Sequence, residues 1–253
     1  QQERLSTEYP QLKTLIRRSR IQAIPRLQEM HDQLFDKLKQ ETRRRPDRVI
    51  DFLRSVHQTD TEIDAKFTDI LLGIDFHDIE THLDIEGLYK KHKREELWLG
   101  GGFNWTPYES IRELFHELPL SDSDVLYDLG SGYGRVPLYG SIINEKTQFK
   151  GIELVPDRVR ESAACVERLG LQNISFTEAN VLDQDFSDGT VFFLFNPFSR
   201  ETMERVFDKL TELARTKKIR VCSMGGLPFN VPWLKEVPSE NRRRDIRIFE
   251  STY

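Results

Sequence analysis

The segment Val125-Leu-Tyr-Asp-Leu-Gly-Ser-Gly-Tyr-Gly-Arg135 sets a carboxylate, Asp128, two residues ahead of glycines at 130, 132 and 134. The apolar run before it reads as a strand and the residues after it as a helix. In an open α/β sheet, ligands bind at the carboxyl ends of the strands, where glycine lets the backbone come close. The flanking side chains narrow the ligand. A dinucleotide fingerprint G-x-G-x-x-G would carry glycine or alanine at position 135, where Arg135 stands. Asp128 would repel a pyrophosphate and attract a cation, so an ammonium or sulfonium group fits this loop. A second apolar run ends in Gly151-Ile152-Glu153, placing Glu153 about where nucleotide-binding sheets grip a ribose diol.

A fourth run, Val191–Phe195, leads into Asn196-Pro197-Phe198-Ser199, a second cluster of amide, turn and ring at a strand end. Acid–base and nucleophilic machinery is not expected: all six histidines (31, 57, 77, 82, 92 and 116) precede the glycine loop, so none lies on the core sheet. His77 and His82, with Asp75, Asp78 and Asp84, lack the H-E-x-x-H spacing and read as a solvated acidic segment, so no metal site is expected. Two cysteines, Cys165 and Cys222, exclude a disulfide framework and a thiolate-rich zinc site, and point to a reducing, cytoplasmic setting.

Five short apolar runs must position these groups: Val125–Leu129, Phe149–Leu154, Ile174–Ala179, Val191–Phe195 and Ile219–Met224. Helical patterns fall at Pro107–Glu117, Arg135–Asn144, Pro156–Leu169 and Glu201–Arg215. The alternation predicts a parallel α/β sheet, with Asp245–Ser251 as an antiparallel strand at its edge. Upstream, amphipathic stripes at Leu27, Met30, Leu34 and Leu38, at Val49, Ile50, Leu53 and Val56, and at Ile63, Phe67, Ile70 and Leu71 predict an all-helical subdomain. Gly100-Gly101-Gly102 marks the boundary, giving a helical unit over 1–99 and a sheet domain over 100–253. The chain opens on QQERLSTEYP, without an initiator methionine or a basic-then-apolar leader, which suggests a start further upstream.

The 253 residues, 38% hydrophobic and 31% charged, suffice for a sizeable core, and no apolar run approaches the length of a membrane span. The net charge of −5 opposes a surface built throughout for phosphates. Local basic runs at Arg17, Arg18 and Arg20, at Arg43, Arg44, Arg45 and Arg48, and at Arg242, Arg243 and Arg244 leave nucleic acid as a partner that is open but not favoured.

DLGSGYGR and GIELVPDRV together resemble the first and second motifs of the seven-strand (class I) S-adenosylmethionine-dependent methyltransferases, a likeness running from Trp105 to Tyr253. The resemblance implies a Rossmann-like seven-strand sheet and S-adenosyl-L-methionine as cofactor. It places Asp128 and the backbone of Gly130, Ser131 and Gly132, with Gly134 closing the loop, at the methionine part. It places Glu153 at the ribose hydroxyls and Asn180 with Val181 near the adenine, with Asp183 in reserve. Thr106, in a covering segment, would reach the cofactor carboxylate. Asn196-Pro197-Phe198 resembles the [Asn/Asp]-Pro-Pro-[Tyr/Phe] motif of amino-group methyltransferases with one proline missing. In that motif an amide oxygen and a backbone carbonyl accept hydrogen bonds from the target nitrogen while the ring stacks on it. The glycine loop with an asparagine at the fourth-strand end also resembles protein-lysine methyltransferases. The expected acceptor is therefore an amine, either a protein lysine or a small molecule, with the helical part covering the site and choosing the substrate. The alternative is a binding protein that keeps the fold without the chemistry.

Overall fold

The computed structural model describes residues 33, 40, 42–59, 65–74, 83–92, 105–239 and 246–253. Among them seven strands form one sheet: β1 (Val125–Leu129), β2 (Gln148–Glu153), β3 (Ile174–Glu178), β4 (Val191–Leu194), β5 (Arg220–Met224), β6 (Leu234–Glu236) and β7 (Ile246–Ser251). They lie in the order β3-β2-β1-β4-β5-β7-β6, parallel from β3 to β5, with β7 antiparallel to both β5 and β6. The apolar runs therefore fall where expected, to within a residue at each end. The last strand does not lie at the edge: β6, too short to show a period between Pro232 and Pro238, pairs outside β7 and covers it.

The helices are α1 (Pro46–His57), α2 (Ala65–Leu72), α3 (Ile85–Lys91), α4 (Tyr108–Glu117), α5 (Arg135–Ile143), α6 (Pro156–Leu169) and α7 (Arg200–Ala214). Pro46 and Pro156 open α1 and α6, where a missing N–H costs nothing. Pro137 is third in α5 and still lies in its first turn. The Ser199 hydroxyl caps α7 by accepting from the Thr202 N–H at 3.3 Å. Side chains of β4 alternate between two apolar layers, Val191 and Phe193 facing one and Phe192 and Leu194 the other. The second layer packs Val206, Phe207 and Leu210 of α7 with Trp233. The first gathers Ile111 and Leu114 of α4, Leu138 and Ile142 of α5, and Leu169 of α6.

Val49 and Leu53 of α1, with Phe67, Ile70 and Leu71 of α2, belong to that same first layer. Among the described residues α1 and α2 thus share a core with the sheet. Arg54 of α1 donates from Nε to the Ile142 carbonyl at 2.8 Å and pairs with Glu145 at the end of α5, while Arg168 of α6 donates to the Leu72 carbonyl. At α3, Lys91 lies 3.9 Å from Glu178 at the carboxyl end of β3, so this helix stands at the carboxyl edge of the sheet. The stripe through Leu27, Met30, Leu34 and Leu38, the His77–His82 segment, the glycines at 100–102 and Arg242–Arg244 lie outside the described residues.

Docking of α1 buries His57, whose ring stacks on His116 at 4.2 Å between centroids and sits 3.4 Å through Nδ1 from the Tyr139 hydroxyl. Burial first, and then the positive fields of His116 and Arg112, lower its pKa from 6.5 to about 4. Between those values the unfolded chain binds a proton that the folded one excludes. This contribution is therefore fully present above pH 6.5 and declines as the pH falls toward 4. Urea unfolding of wild type and His57→Gln side by side should show the difference in their midpoints shrinking from pH 7 to pH 5. A pH-independent difference would rule His57 out as the acid-sensitive group.

Candidate active site

β1 delivers Asp128 to the carboxyl edge, aligned with Gly151 of β2 on one side and Phe193 of β4 on the other. The chain then turns sharply, because the N–H groups of Gly130 and Ser131 both donate to the Ile152 carbonyl, at 2.9 and 3.0 Å. Gly130, at φ 84, is required twice over: by its left-handed backbone, and because a Cβ there would lie 2.4 Å from Cβ of Pro197. Gly132, at φ 55, is different: a Cβ there would meet nothing within 4 Å, so the loop is open on this side. Gly134, also left-handed, stands at the start of α5.

Asp128 is only 5% exposed and has no hydrogen bond to its carboxylate among the described residues. Burial, with Glu153 adding repulsion, pushes its pKa up to about 8. Glu153 is equally buried but well anchored. Its Oε2 accepts from the Gly132 N–H at 2.8 Å, and its Oε1 accepts from the N–H groups of Leu154 and Val155 at 3.0 and 2.9 Å. A carboxylate offers about four acceptor positions, so capacity for a ligand hydroxyl remains. The amides of Gly130, Ser131 and Gly132, expected to face a ligand, are thus engaged with β2 and Glu153. The loop has instead the open side of Gly132 and the buried Ser131 hydroxyl, which has no partner among the described residues. An unpaired buried carboxylate, an unpartnered hydroxyl and an open glycine together suit an ammonium-bearing ligand of the amino-acid kind.

At the end of β3, Oδ1 of half-buried Asn180 accepts from the Leu182 N–H at 3.0 Å, the local turn that asparagine favours, while Val181 is buried and Asp183 exposed. The Ala179 N–H donates to the Glu153 carbonyl at 3.0 Å, which ties this turn to the end of β2. At the end of β4, Asn196 is exposed and, at φ 43, is the one non-glycine residue with a left-handed backbone among the described residues. Asparagine tolerates that conformation better than most side chains, and such strain concentrates at functional sites. Pro197 closes against Gly130, so the two strand-end clusters read from the sequence are in contact. Phe198 is half-buried against the second apolar layer, which commits part of its ring to packing.

Thr106 is buried just before α4. Its carbonyl accepts from Arg135 Nη1 at 3.4 Å, and the Arg135 guanidinium lies 4.8 Å from the ring of Trp105. Arg135 also pairs through two nitrogens with Asp69 of α2. The sequence reading missed Asp69, which looks there like one more residue of a solvated acidic block.

No family model matches the chain. A curated protein-lysine N-methyltransferase of Saccharolobus islandicus is 30% identical over 91 residues, 36% of this chain and 56% of that protein. The chain thus spans about half the length of the curated relative it matches. Among solved structures, an RNA methyltransferase from Salinibacter ruber in complex with S-adenosyl-L-homocysteine is 21% identical at a TM-score of 0.46, covering 58% of this chain and 92% of that one. A SAM-dependent methyltransferase from Aquifex aeolicus is 13% identical at 0.43, covering 67% and 98%. PKMT2 from Rickettsia typhi, in complex with AdoHcy, is 20% identical at 0.35, covering 44% and 22%.

Proposed function

We propose that this chain, which resembles the class I S-adenosylmethionine-dependent methyltransferases, is an enzyme that transfers a methyl group from S-adenosyl-L-methionine to an amine, with a protein lysine as the preferred acceptor. The observation that carries the reading is Asp128: a buried carboxylate without a hydrogen bond among the described residues, beside the open side of a glycine loop and one strand away from Asn196. The likeness to a curated protein-lysine N-methyltransferase supports the acceptor class. The net charge of −5 does not favour nucleic acid. No described helix is long and apolar enough to cross a membrane. A cytoplasmic setting belongs to the same proposal, on the low cysteine count of the sequence.

The cofactor supplies a methyl group on a sulfonium, which leaves as a neutral thioether and so needs little acid–base help. In this reading Asp128 accepts from the cofactor ammonium, the Ser131 hydroxyl adds a hydrogen bond, and Glu153 uses its remaining acceptor capacity on the ribose hydroxyls. Asn180 and Val181 flank the base, and Thr106 bounds the other side. The amide oxygen of Asn196 accepts a hydrogen from the incoming amine and orients its lone pair without adding a charge that would hold an ammonium in place. Phe198 offers its exposed edge to the acceptor. Of the described helices upstream of 100, α3 is the one placed to cover this edge, and the approach of Lys91 to Glu178 supports that role.

Incubation with cell extract and isotopically labelled S-adenosylmethionine, followed by mass spectrometry, tests the reading. Label on protein lysine side chains is expected. Label in small molecules or RNA would overturn the lysine acceptor, and absence of both labelling and S-adenosylhomocysteine binding would overturn the methyltransferase.

A further inference from the structure

We propose that Asp69 and Arg135 act as a positioning clamp through which helix α2 fixes the Trp105–Thr106 segment beside the glycine loop, and so sets cofactor affinity. The proposal rests on the cofactor site described above. Arg135 is the first residue of α5 and follows Gly134 directly, so its main chain is continuous with the loop. Its Nε donates to Asp69 Oδ1 at 2.8 Å and its Nη2 to Asp69 Oδ2, while Nη1 reaches the Thr106 carbonyl. The guanidinium lies over two rings, 4.8 Å from the centroid of Trp105 and 5.0 Å from that of Tyr108. The Tyr108 hydroxyl donates to the same Asp69 oxygen at 2.7 Å. One arginine thus joins four things: α2, the start of α5, the first residue of α4 and the segment before it.

Stability alone does not call for charge at this place. Asp69 is 2% and Arg135 11% exposed, and buried ion pairs are often replaceable by apolar residues without loss of stability. A planar guanidinium held by two hydrogen bonds and two rings has, however, a single orientation, and a methylene-rich contact would not. That orientation passes to Thr106 through its carbonyl. The clamp is therefore a device for direction, and Asp69 and Arg135 position the site without touching the ligand.

Three variants test it. Asp69→Asn with Arg135→Gln removes both charges and leaves neither orphaned, Arg135→Lys keeps the charge but loses the fork, and Tyr108→Phe removes one hydroxyl. Calorimetry with S-adenosylhomocysteine should show the dissociation constant rising about 10-fold in the double variant and in Arg135→Lys, and less in Tyr108→Phe. The KM for S-adenosylmethionine should rise more than kcat falls, with circular dichroism unchanged. A wild-type affinity in Arg135→Lys and Tyr108→Phe overturns the clamp, whatever their melting temperatures, because a purely structural tie would move only the latter. A wild type that does not bind S-adenosylhomocysteine at all overturns the cofactor site itself, and the clamp with it.

Discussion

Asn196→Ala is expected to lower kcat by about 100-fold while the dissociation constant for S-adenosylhomocysteine stays within roughly threefold. The side chain is exposed at the end of β4, and Pro197 against Gly130 holds it next to the glycine loop, so its loss should remove alignment of the acceptor and little else. Alanine at φ 43 also strains the turn, by about 1 kcal/mol, so Asn196→Gly is the necessary companion. Glycine takes that backbone without strain but has no amide. If both variants lose kcat alike, the amide orients the acceptor. If glycine restores it, Asn196 is a turn residue and the amine reading loses its main support. Phe198→Ala should instead raise KM and also lower the melting temperature, since part of its ring packs in the second apolar layer.

The second large effect concerns Asp128. Asp128→Ala should weaken cofactor binding about 10- to 100-fold, the ordinary loss for a charge-assisted hydrogen bond. Its raised pKa of about 8 adds a signature that a structural residue would not give. Near pH 7 the free protein holds Asp128 mostly protonated, and an arriving ammonium favours the carboxylate, so binding releases close to one proton. Affinity should therefore improve as the pH rises toward 8. Calorimetry in two buffers of different ionisation enthalpy reads this directly at pH 7, and Asp128→Asn should abolish the buffer dependence. Full affinity in Asp128→Ala would remove Asp128 from the ammonium site, whereas no proton release in wild type would mean that its carboxyl is already ionised in the free protein. The same raised pKa opposes His57 in the free protein: Asp128 favours folding at low pH and loses that contribution between about pH 4 and 8.

What could be read from the sequence was whatever a short stretch of chain decides. β4 is a run of four buried residues, Pro46 and Pro156 open helices, and Asp128 with its three glycines names its own turn. Asn180 is legible in the same way, since its turn closes on Leu182, two residues on. What stayed hidden depends on approach in space. Asp69 meets Arg135 across 66 residues of sequence, and nothing near either announces the other. The stripe of α1 showed that the helix must bury a face, but not that the face would join the layer over α5. β6 has three residues and makes a strand only because β7 lies beside it. The inward turn of the loop amides was equally unreadable, because it depends on where Ile152 and Glu153 arrive from the neighbouring strand.

The contact between Gly130 and Pro197 also bears on how such a protein can diverge. Any side chain at 130 would drive into the ring at 197, whereas a smaller residue at 197 would only leave a gap. Inherited change at this joint is therefore one-sided: the glycine loop must keep its glycine while the turn after β4 retains some freedom. Under the proposed function, a lineage exploring new acceptors would change first at Phe198, whose partly exposed ring carries no such obligation to the glycine loop. Duplicated descendants should accordingly differ at 198 before they differ at 130, which under the proposed function would let them serve different amines with one methyl donor.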